Sequence, residues 1–187
     1  MSSEDKVHWN ETYTKLAAPE ASAPARFLAE NISLLIPGRT LDLAAGRGRN
    51  AVFLAAHGHR VVAVDVARTA LETIDPRVAI DVAQVDLDRP CFRARSVDNV
   101  VSINFLDRRL FPEMVGWLKP GGVLLFDTFL IDQRRCGHPQ NPAFLLAHNE
   151  LLDRIRGLRI LRYREGLVDD PSGSSYRAGV VAVRTDT

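Results

Sequence analysis

The chain of 187 residues has little of what marks secreted, metal-binding or membrane proteins. It has only two cysteines, Cys91 and Cys136, which lie far apart and show no metal-ligand spacing. We therefore expect no disulfide framework and no metal site. No apolar run approaches the roughly 20 residues that cross a bilayer, and the charged N-terminus lacks the apolar segment of a secretion signal. These absences predict a cytoplasmic protein that contacts no membrane.

Excess positive charge is missing as well. Lysine and arginine together number 24 against 23 for aspartate and glutamate, which gives a formal net charge of +1. Proteins that bind nucleic acids need surplus cations to neutralise phosphates. Nucleic acid is therefore not an expected partner, whereas a small-molecule substrate is. The composition leaves the oligomeric state open.

The length suits one domain with a buried core, but not a dinucleotide-binding domain plus a separate catalytic domain. We expect a single domain over residues 1–187, in which residues 1–38 form an N-terminal helical segment or lid. Apolar residues recur at helical spacing in its second half, namely Phe27, Leu28, Ile32 and Leu35. This spacing, after a proline at position 24, predicts a helix that ends before Pro37 and packs on a sheet.

Apolar runs alternate with helical patterns along the rest of the chain, which predicts parallel βαβ units. The predicted strands cover about 39–45, 60–65, a run ending near 85, 97–104 and 123–130. Predicted helices end at 57 and near 75, and two more cover about 109–118 and 143–156. Residues 88–96 are too few for a long crossover helix, so a turn or helical stub is expected there. The final apolar runs, 158–163 and 176–183, predict an antiparallel hairpin.

The most informative segment is a glycine-rich turn between the first two predicted strands. Residues 41–50 read Leu-Asp-Leu-Ala-Ala-Gly-Arg-Gly-Arg-Asn, and the apolar run 61–64 leads into Asp65. Gly46 and Gly48 allow a sharp turn and a close backbone approach to a ligand. Asp65 lies 19 positions after Gly46, which is the spacing of an acid that accepts hydrogen bonds from ribose hydroxyls. The segment therefore predicts a ribose-bearing ligand at the edge of a Rossmann-like sheet.

Two kinds of ribose ligand fit this turn. The pattern Gly46-x-Gly48-x-x-Ala51 also matches a dinucleotide fingerprint, so the glycines do not separate a nicotinamide cofactor from an amino-acid nucleoside. Asp42, at the end of the first strand, suits a cationic amine and would repel a pyrophosphate. It favours the amino-acid nucleoside. In the alternative structural interpretation, Asp42 and Asp65 only cap the helices that follow their strands.

A second set of residues extends the pattern downstream. Trp117-Leu118-Lys119-Pro120-Gly121-Gly122 separates a predicted helix from a strand that reaches Asp127, and the strand before that helix contains Asp98-Asn99-Val100-Val101-Ser102. In this order the chain resembles the class I S-adenosylmethionine-dependent methyltransferases from position 9 to the last strand. The resemblance implies an α/β fold, a Rossmann-like, mostly parallel sheet with a C-terminal antiparallel hairpin and strand order 3-2-1-4-5-7-6.

Within that superfamily the chain is similar to the TehB-like, or tellurite-resistance, methyltransferase group. The shared stretches are Trp9-Asn10-Glu11-x-Tyr13, the turn at 41–50, Asn104-Phe105-Leu106-Asp107-Arg108-x-Leu110-Phe111-Pro112, Asp127-Thr128-Phe129 and Tyr163-Arg164-Glu165-Gly166. One departure is Ala45, where members of the group often have cysteine. That change is expected to leave cofactor binding intact.

The resemblance assigns site residues position by position. It implies contacts with S-adenosylmethionine from Asp42, Ala44, Gly46, Gly48, Asn50, Asp65, Val66, Asp86, Leu87, Ser102, Ile103 and Asn104. Asp65 would bind the ribose, and Asp86 with Leu87 the adenine edge, although Asp86 could instead only cap its strand. Trp9 and Tyr13 would belong to a lid, or simply pack on the sheet. Candidates for substrate contact are Phe105, Arg108, Arg134 and His138, and Arg135 could add positive charge for an oxyanion.

The implied reaction is methyl transfer from S-adenosylmethionine to a small molecule, such as a thiol, tellurite or selenite. Such acceptors are already nucleophilic, so no general base is assigned, although His8, His138 and Asp127 could serve as one. Catalysis would then depend on alignment and on exclusion of water. The alternative from another class is a sensor module that binds S-adenosylmethionine or NAD without catalysis.

Overall fold

The computed structural model describes residues 10–14, 23–170 and 173–185. Its strands are β1 (Arg39–Leu43), β2 (Arg60–Asp65), β3 (Ile80–Gln84), β4 (Val97–Ile103), β5 (Leu118–Phe129), β6 (Leu158–Val168) and β7 (Ser175–Arg184). Its helices are α1 (Arg26–Asn31), α2 (Arg49–Ala56), α3 (Arg68–Leu71), α4 (Phe111–Trp117) and α5 (Glu150–Arg154), and residues 10–14 are also helical. Short 3-10 turns cover Ile32–Leu34, Arg108–Leu110, Ile131–Arg135 and Pro142–Phe144.

The strands form one sheet in the order β3-β2-β1-β4-β5-β7-β6. The first five strands of that order are parallel, whereas β7 is antiparallel to both β5 and β6. The order and the terminal hairpin confirm the fold predicted from the sequence. The strand order changes direction between β1 and β4, because β2 and β3 lie on one side of this pair and β5 to β7 on the other. In such sheets ligands bind beyond the carboxyl ends of the strands at that position.

Both faces of the central strands are buried. Neighbouring residues on a strand contribute to different hydrophobic clusters, since Val100 and Leu124 lie in one and Val101 and Leu125 in the other. This is why β4 and β5 are nearly continuous apolar runs instead of alternating ones. Among the described residues, no helix is long and apolar enough to cross a membrane.

Several predicted boundaries were wrong. The helix predicted to extend to residue 35 ends at Asn31 and continues as a 3-10 turn. The helix predicted over 143–156 is α5 alone, because Asn149 adopts a left-handed backbone with φ of 60° immediately before it. Strand β5 begins at Leu118, since that residue already pairs with Val97. Residues 88–96 contain no helix, as expected.

Candidate functional site

The glycine-rich turn lies at the carboxyl end of β1 and leads directly into α2. Ala44, Gly46 and Gly48 all have positive φ, at 51°, 55° and 78°. Glycine adopts this backbone without strain, whereas an alanine in the same region costs free energy. The amide of Ala45 donates to the carbonyl of Val64, so the turn is tied to the end of β2.

Asp65, the last residue of β2, lies against this turn. Its Oδ2 accepts a hydrogen bond from the amide of Gly46 at 2.8 Å, and its Oδ1 accepts one from the amide of Ala67 at 2.8 Å. Burial raises the pKa of the Asp65 carboxyl, although the amide hydrogen bonds oppose that shift. Each carboxylate oxygen accepts more than one hydrogen bond, so the group retains capacity for a ligand's hydroxyls. The two parts of the predicted site are thus in direct contact.

Asp42 is buried within β1, with 1% of its surface exposed. Its Oδ2 has no hydrogen-bond partner. Desolvation, followed by the negative charge of Asp65, raises the pKa of the Asp42 carboxyl to about 7. The amide of Ala51 hydrogen-bonds to this carboxylate, but the other oxygen stays unsatisfied, and a cationic ligand group would relieve the cost of burying it. The residues present therefore fit a ligand that carries an ammonium group.

A second unpartnered polar atom lies on the neighbouring strand. Ser102 of β4 is fully buried, and its Oγ has no hydrogen-bond partner. In the β1–β4 register Ser102 pairs with Leu43, and Asp42 pairs with Val101. Strands β1 and β4, between which the strand order changes direction, thus each hold an unsatisfied polar atom at adjacent register positions.

Residues 10–14 lie over the turn. The hydroxyl of Tyr13 is so near Gly46 that a Cβ at that glycine would be 2.6 Å from it. The carbonyl of Tyr13 accepts a hydrogen bond from Arg47 Nη2 at 2.7 Å, and Asn10 Oδ1 accepts one from the hydroxyl of Thr69 at 3.0 Å. Burial and the charge of Asp65 raise the pKa of the Tyr13 phenol. Trp9, the other predicted lid residue, and His8 fall outside the described residues.

Two further predicted positions have partners within the protein. A Cβ at Gly48 would lie 2.6 Å from Cδ1 of Ile74, so this glycine makes room for a core side chain. Asn50 is buried, and its Oδ1 accepts a hydrogen bond from the amide of Ala25 at 2.9 Å. Asn50 thereby links the start of α2 to the residue that precedes α1.

The predicted adenine side is formed by the ends of β2 and β3. The carbonyl of Val66 accepts a hydrogen bond from Gln84 Nε2 at 2.8 Å. Asp86 is exposed, and its Oδ1 accepts a hydrogen bond from the amide of Asp88 at 2.9 Å, which is a capping contact. Leu87 belongs to the core, with 1% exposed.

After Ser102 the chain leaves β4 through three predicted positions. Ile103 is buried, and Asn104 adopts a left-handed backbone with φ of 60°. The side chain of Asn104 is exposed but accepts a hydrogen bond from Arg177 Nη2 at 2.6 Å. Phe105 is half-buried and packs against the core cluster that contains Phe126.

The predicted substrate residues lie in different environments. Arg108 donates to both carboxylate oxygens of Glu150, at 2.7 and 2.8 Å, and to the carbonyls of Ala143 and Leu145. This network makes Arg108 a brace between loops.

Arg134 and His138 are exposed on the loop after β5, and Arg135 pairs with Asp132. A surface cavity of about 390 Å³ there is lined by Ile131, Asp132, Arg134, Arg135, Gln140 and His148. His148 Nε2 makes a hydrogen bond with Asp132, which raises the pKa of the imidazole. The two cysteines are free and exposed.

One buried charged cluster was not predicted as a site. Asp127 of β5 accepts hydrogen bonds from Arg164 of β6 and Arg177 of β7. From the sequence, Asp127 was predicted only as a possible base, and Arg177 was assigned no role. Arg164 directly follows one apolar run of the predicted hairpin and Arg177 lies within the other, but their pairing with Asp127 depends on strand register.

The comparisons with known proteins agree with this architecture. Residues 40–122 match the family model described as a methyltransferase domain, whereas no curated protein sequence matches the chain.

TehB from Haemophilus influenzae has 20% identity and a TM-score of 0.73, over 97% of this chain and 67% of that one. A protein solved in work on the conversion of a disulfide bond into a thioacetal group during echinomycin biosynthesis has 17% identity and a TM-score of 0.75, over 97% and 92%. Geranyl diphosphate C-methyltransferase from Streptomyces coelicolor A3(2), in complex with S-adenosyl-L-homocysteine, has 14% identity and a TM-score of 0.70, over 99% and 100%. At such identities the likeness is one of fold.

The matched family region contains β1 to β4, the glycine-rich turn and Asp65, so it covers the donor side of the candidate site. The sheet order, with β7 between β5 and β6, agrees with the fold of the structural neighbours. The unpartnered Oδ2 of Asp42 fits the amine of S-adenosylmethionine. Residues 40–122 therefore match a methyltransferase domain, and the chain as a whole has the fold of structural neighbours that include a methyltransferase with S-adenosyl-L-homocysteine bound.

Proposed function

We propose that this enzyme transfers the methyl group of S-adenosylmethionine to a small-molecule acceptor, namely a thiol or a chalcogen oxyanion such as tellurite or selenite. The observation that carries the donor site is the buried carboxylate of Asp42, whose Oδ2 is unpartnered beside the glycine-rich turn. An ammonium group is the ligand chemistry that this atom would stabilise most.

The donor would be held by residues on both sides of the β1–β4 boundary. Asp42 would accept from its amine, Ala44, Gly46 and Gly48 would contact its methionine part through the backbone, and Asp65 would accept from its ribose. Asp86 and Leu87 would flank the adenine, with Val66, Asn50 and Ser102 to Asn104 nearby. Tyr13 already lies over the turn at Gly46, which supports a lid role for residues 10–14.

When bound, S-adenosylmethionine supplies an electrophilic methyl group, and the methyl–sulfur bonding pair stays on sulfur as the acceptor's lone pair bonds to carbon. The chain's own residues need only position the acceptor and keep water out, since a thiolate requires no base at the moment of transfer. The half-buried ring of Phe105 is suited to form an apolar wall at the exit of β4.

A soft acceptor is supported by the kind of chemistry at one structural neighbour. That protein was solved in work on a disulfide that becomes a thioacetal group, which is a reaction at sulfur. The even balance of charge also favours a small acceptor over a nucleic acid.

The test is methyl transfer from labelled donor to mercaptoethanol, selenite and tellurite, combined with calorimetric titration of S-adenosylhomocysteine and NAD. We expect binding of S-adenosylhomocysteine, no binding of NAD, and label in at least one acceptor. Replacement of Asp65 by alanine removes an acceptor of hydrogen bonds from ribose hydroxyls. The affinity for S-adenosylhomocysteine should therefore fall at least about tenfold.

Asp81→Asn is the matched control, because Asp81 is an exposed aspartate on β3. Unchanged affinity in Asp65→Ala would contradict the proposed donor site. Donor binding without label in any of the three acceptors would contradict the proposed acceptor class.

A further inference from the structure

The buried cluster of Asp127, Arg164 and Arg177 lies in β5, β6 and β7, near the carboxyl end of β5. Asp127 pairs in register with Gly179 of β7, and Gly179 pairs with Arg164 of β6. Residues in register share a face of the sheet, and Arg177, two positions before Gly179, lies on the same face. Asp127 also lies in the buried part of β5 near the carboxyl end of the strand, where its carbonyl accepts a hydrogen bond from the amide of Asn104 after β4.

Charge in this cluster is unbalanced. Arg164 Nη2 donates to Asp127 Oδ1 at 3.0 Å, whereas Arg177 Nε donates to Oδ2 at 2.7 Å. Arg177 Nη2 lies 2.6 Å from Oδ2 as an ion pair and donates its hydrogen bond to Asn104 Oδ1. Two guanidinium groups therefore share one carboxylate, which leaves one positive charge. The side chains of Asp127, Arg177 and Arg164 are only 2%, 13% and 23% exposed, so solvent screens that charge weakly.

Arg164 also has an unused donor. Its Nε is buried and has no hydrogen-bond partner. The guanidinium lies over the ring of Phe27, with its Cζ 4.4 Å from the ring centroid, and that of Arg177 lies over Phe129 at the same distance. Stacking on two rings fixes both planar groups, so the free donor is held in place before any ligand arrives.

We propose that Arg164 and Arg177 form a subsite for a negatively charged oxygen group on the methyl acceptor, either a carboxylate or a chalcogen oxyanion. Arginine forks match both geometries, and a ligand oxygen would satisfy Arg164 Nε and neutralise the surplus charge. The cluster lies level with the end of β4, where Ile103 pairs with Asp127, and this position would place the rest of the acceptor toward the donor at β1 and β4. This proposal rests on the proposed function, because it assigns the cluster to the acceptor of that reaction.

A purely structural role, which is to neutralise the Asp127 carboxylate, would not require both arginines. Arg177 already makes a hydrogen bond and an ion pair with Asp127 Oδ2, and this one arginine suffices to neutralise the buried carboxylate. The second arginine adds the unpaired charge and the unpaired donor. The proposal therefore concerns Arg164 most directly, and Arg164 is the residue to change.

The kinetic test compares thioglycolate with mercaptoethanol, two thiols of similar size of which only the first carries a carboxylate. For the native enzyme we expect KM for thioglycolate to be lower than KM for mercaptoethanol. Arg164→Gln removes the charge and should raise KM for thioglycolate at least about tenfold, with kcat and the mercaptoethanol constants nearly unchanged. Arg164→Lys keeps the charge and should recover part of the loss. Arg156→Gln, at an exposed arginine paired with Asp153, is the control.

A binding measurement separates this subsite from the proposed reaction. Thioglycolate and selenite are each titrated into the protein loaded with S-adenosylhomocysteine, and binding is followed by NMR shifts of the Arg164 and Arg177 side chains. Binding of thioglycolate or selenite that Arg164→Gln abolishes supports the subsite and shows which oxygen group it takes, even where no acceptor is methylated. Equal binding to the native protein and to Arg164→Gln, or no binding to either, overturns it. Thermal unfolding of each variant verifies its fold.

Discussion

At the scale of single residues, the most consequential side chain is the carboxylate of Asp42. Its burial beside Asp65 raises its pKa to about 7, and Asp42 Oδ2 has no partner. Because the folded protein holds the proton more tightly than the unfolded chain, this group favours folding at low pH. That contribution is complete below the ordinary carboxyl pKa and is lost as the pH rises toward 7.

Asp42→Asn should therefore stabilise the ligand-free protein and also lower its affinity for the methyl donor. At pH 8 the free energy of unfolding should rise by on the order of 1–3 kcal/mol, since no buried charge forms. At pH 4 the variant should differ little from the native protein. Affinity for S-adenosylhomocysteine at pH 8 should fall about tenfold or more, because the ammonium group loses its ionic partner.

Denaturant unfolding at both pH values and calorimetric titration measure these two effects. Asp81→Asn, at the exposed position on β3, should change neither quantity. A ligand-free Asp42→Asn protein that is less stable at pH 8 than the native one would show that Asp42 has a structural partner after all.

At the scale of elements, the ionic contact between Arg108 and Glu150 joins the 3-10 turn after β4 to the start of α5. Glu150 is also bonded by Arg154 and by the amide of Ala147, and these contacts outweigh desolvation to lower the pKa of its carboxyl to about 2. A lowered pKa contributes stability that is present above the ordinary glutamate pKa and lost as the pH falls toward 2. The brace therefore acts throughout the neutral range.

Arg108→Ala should lower the free energy of unfolding at pH 7 by about 1–2 kcal/mol, a value discounted for the partial exposure of the arginine. Affinity for S-adenosylhomocysteine should stay within about twofold, because the brace does not touch the glycine-rich turn. Acid titration of stability provides a further check, since the difference between variant and native protein should shrink below pH 4. Loss of turnover without loss of stability would instead return Arg108 to the substrate contacts.

Elements also show how far sequence reasoning extends. Strands β1, β2 and β4 were predicted within a few residues, because short apolar runs mark their buried centres, such as Val61-Val62-Ala63-Val64 in β2. The spacing of 19 positions between Gly46 and Asp65 predicted that both belong to one ligand site, and in the structure they are in direct contact. The helix predicted over 143–156 failed, since Asn149 adopts a left-handed conformation before α5 that no periodicity reveals.

The cluster around Asp127 could not be read from the sequence for a different reason. Its arginines lie 37 and 50 positions further along the chain, and only the register of β5, β6 and β7 brings them together. A shift of one residue in that hairpin would place the arginines on the opposite face. Long-range register therefore decides whether these charges form a site.

At the scale of the whole molecule, the proposed donor site and the proposed acceptor subsite lie in different halves of the sheet. The β1 to β3 half carries the glycine-rich turn and the acids proposed for the donor, whereas β5 to β7 carry the paired arginines proposed for the acceptor. Of the boundary strands, β4 contributes to the hydrophobic clusters on both faces of the sheet, and β1 contributes Leu41 and Leu43 to one of them. Reaction geometry would then depend on packing of the entire sheet.

Hydrogen exchange tests this division. Saturation with S-adenosylhomocysteine at about a hundredfold over Kd should add about 2.7 kcal/mol to global stability. The additional slowing should be largest at residues 10–14 and at the turn 44–48, and smallest along β6. Uniform slowing over all strands would show that the donor side is not distinct.

The hydroxyl of Tyr13 fills the space immediately above Gly46. Any molecule that settles on that part of the turn must first push the phenol aside, and the displaced phenol takes with it the carbonyl held by Arg47. Ligand binding at this part of the turn is therefore coupled to movement of residues 10–14. Under the proposed donor site, release of the demethylated donor would likewise require Tyr13 to move away from Gly46.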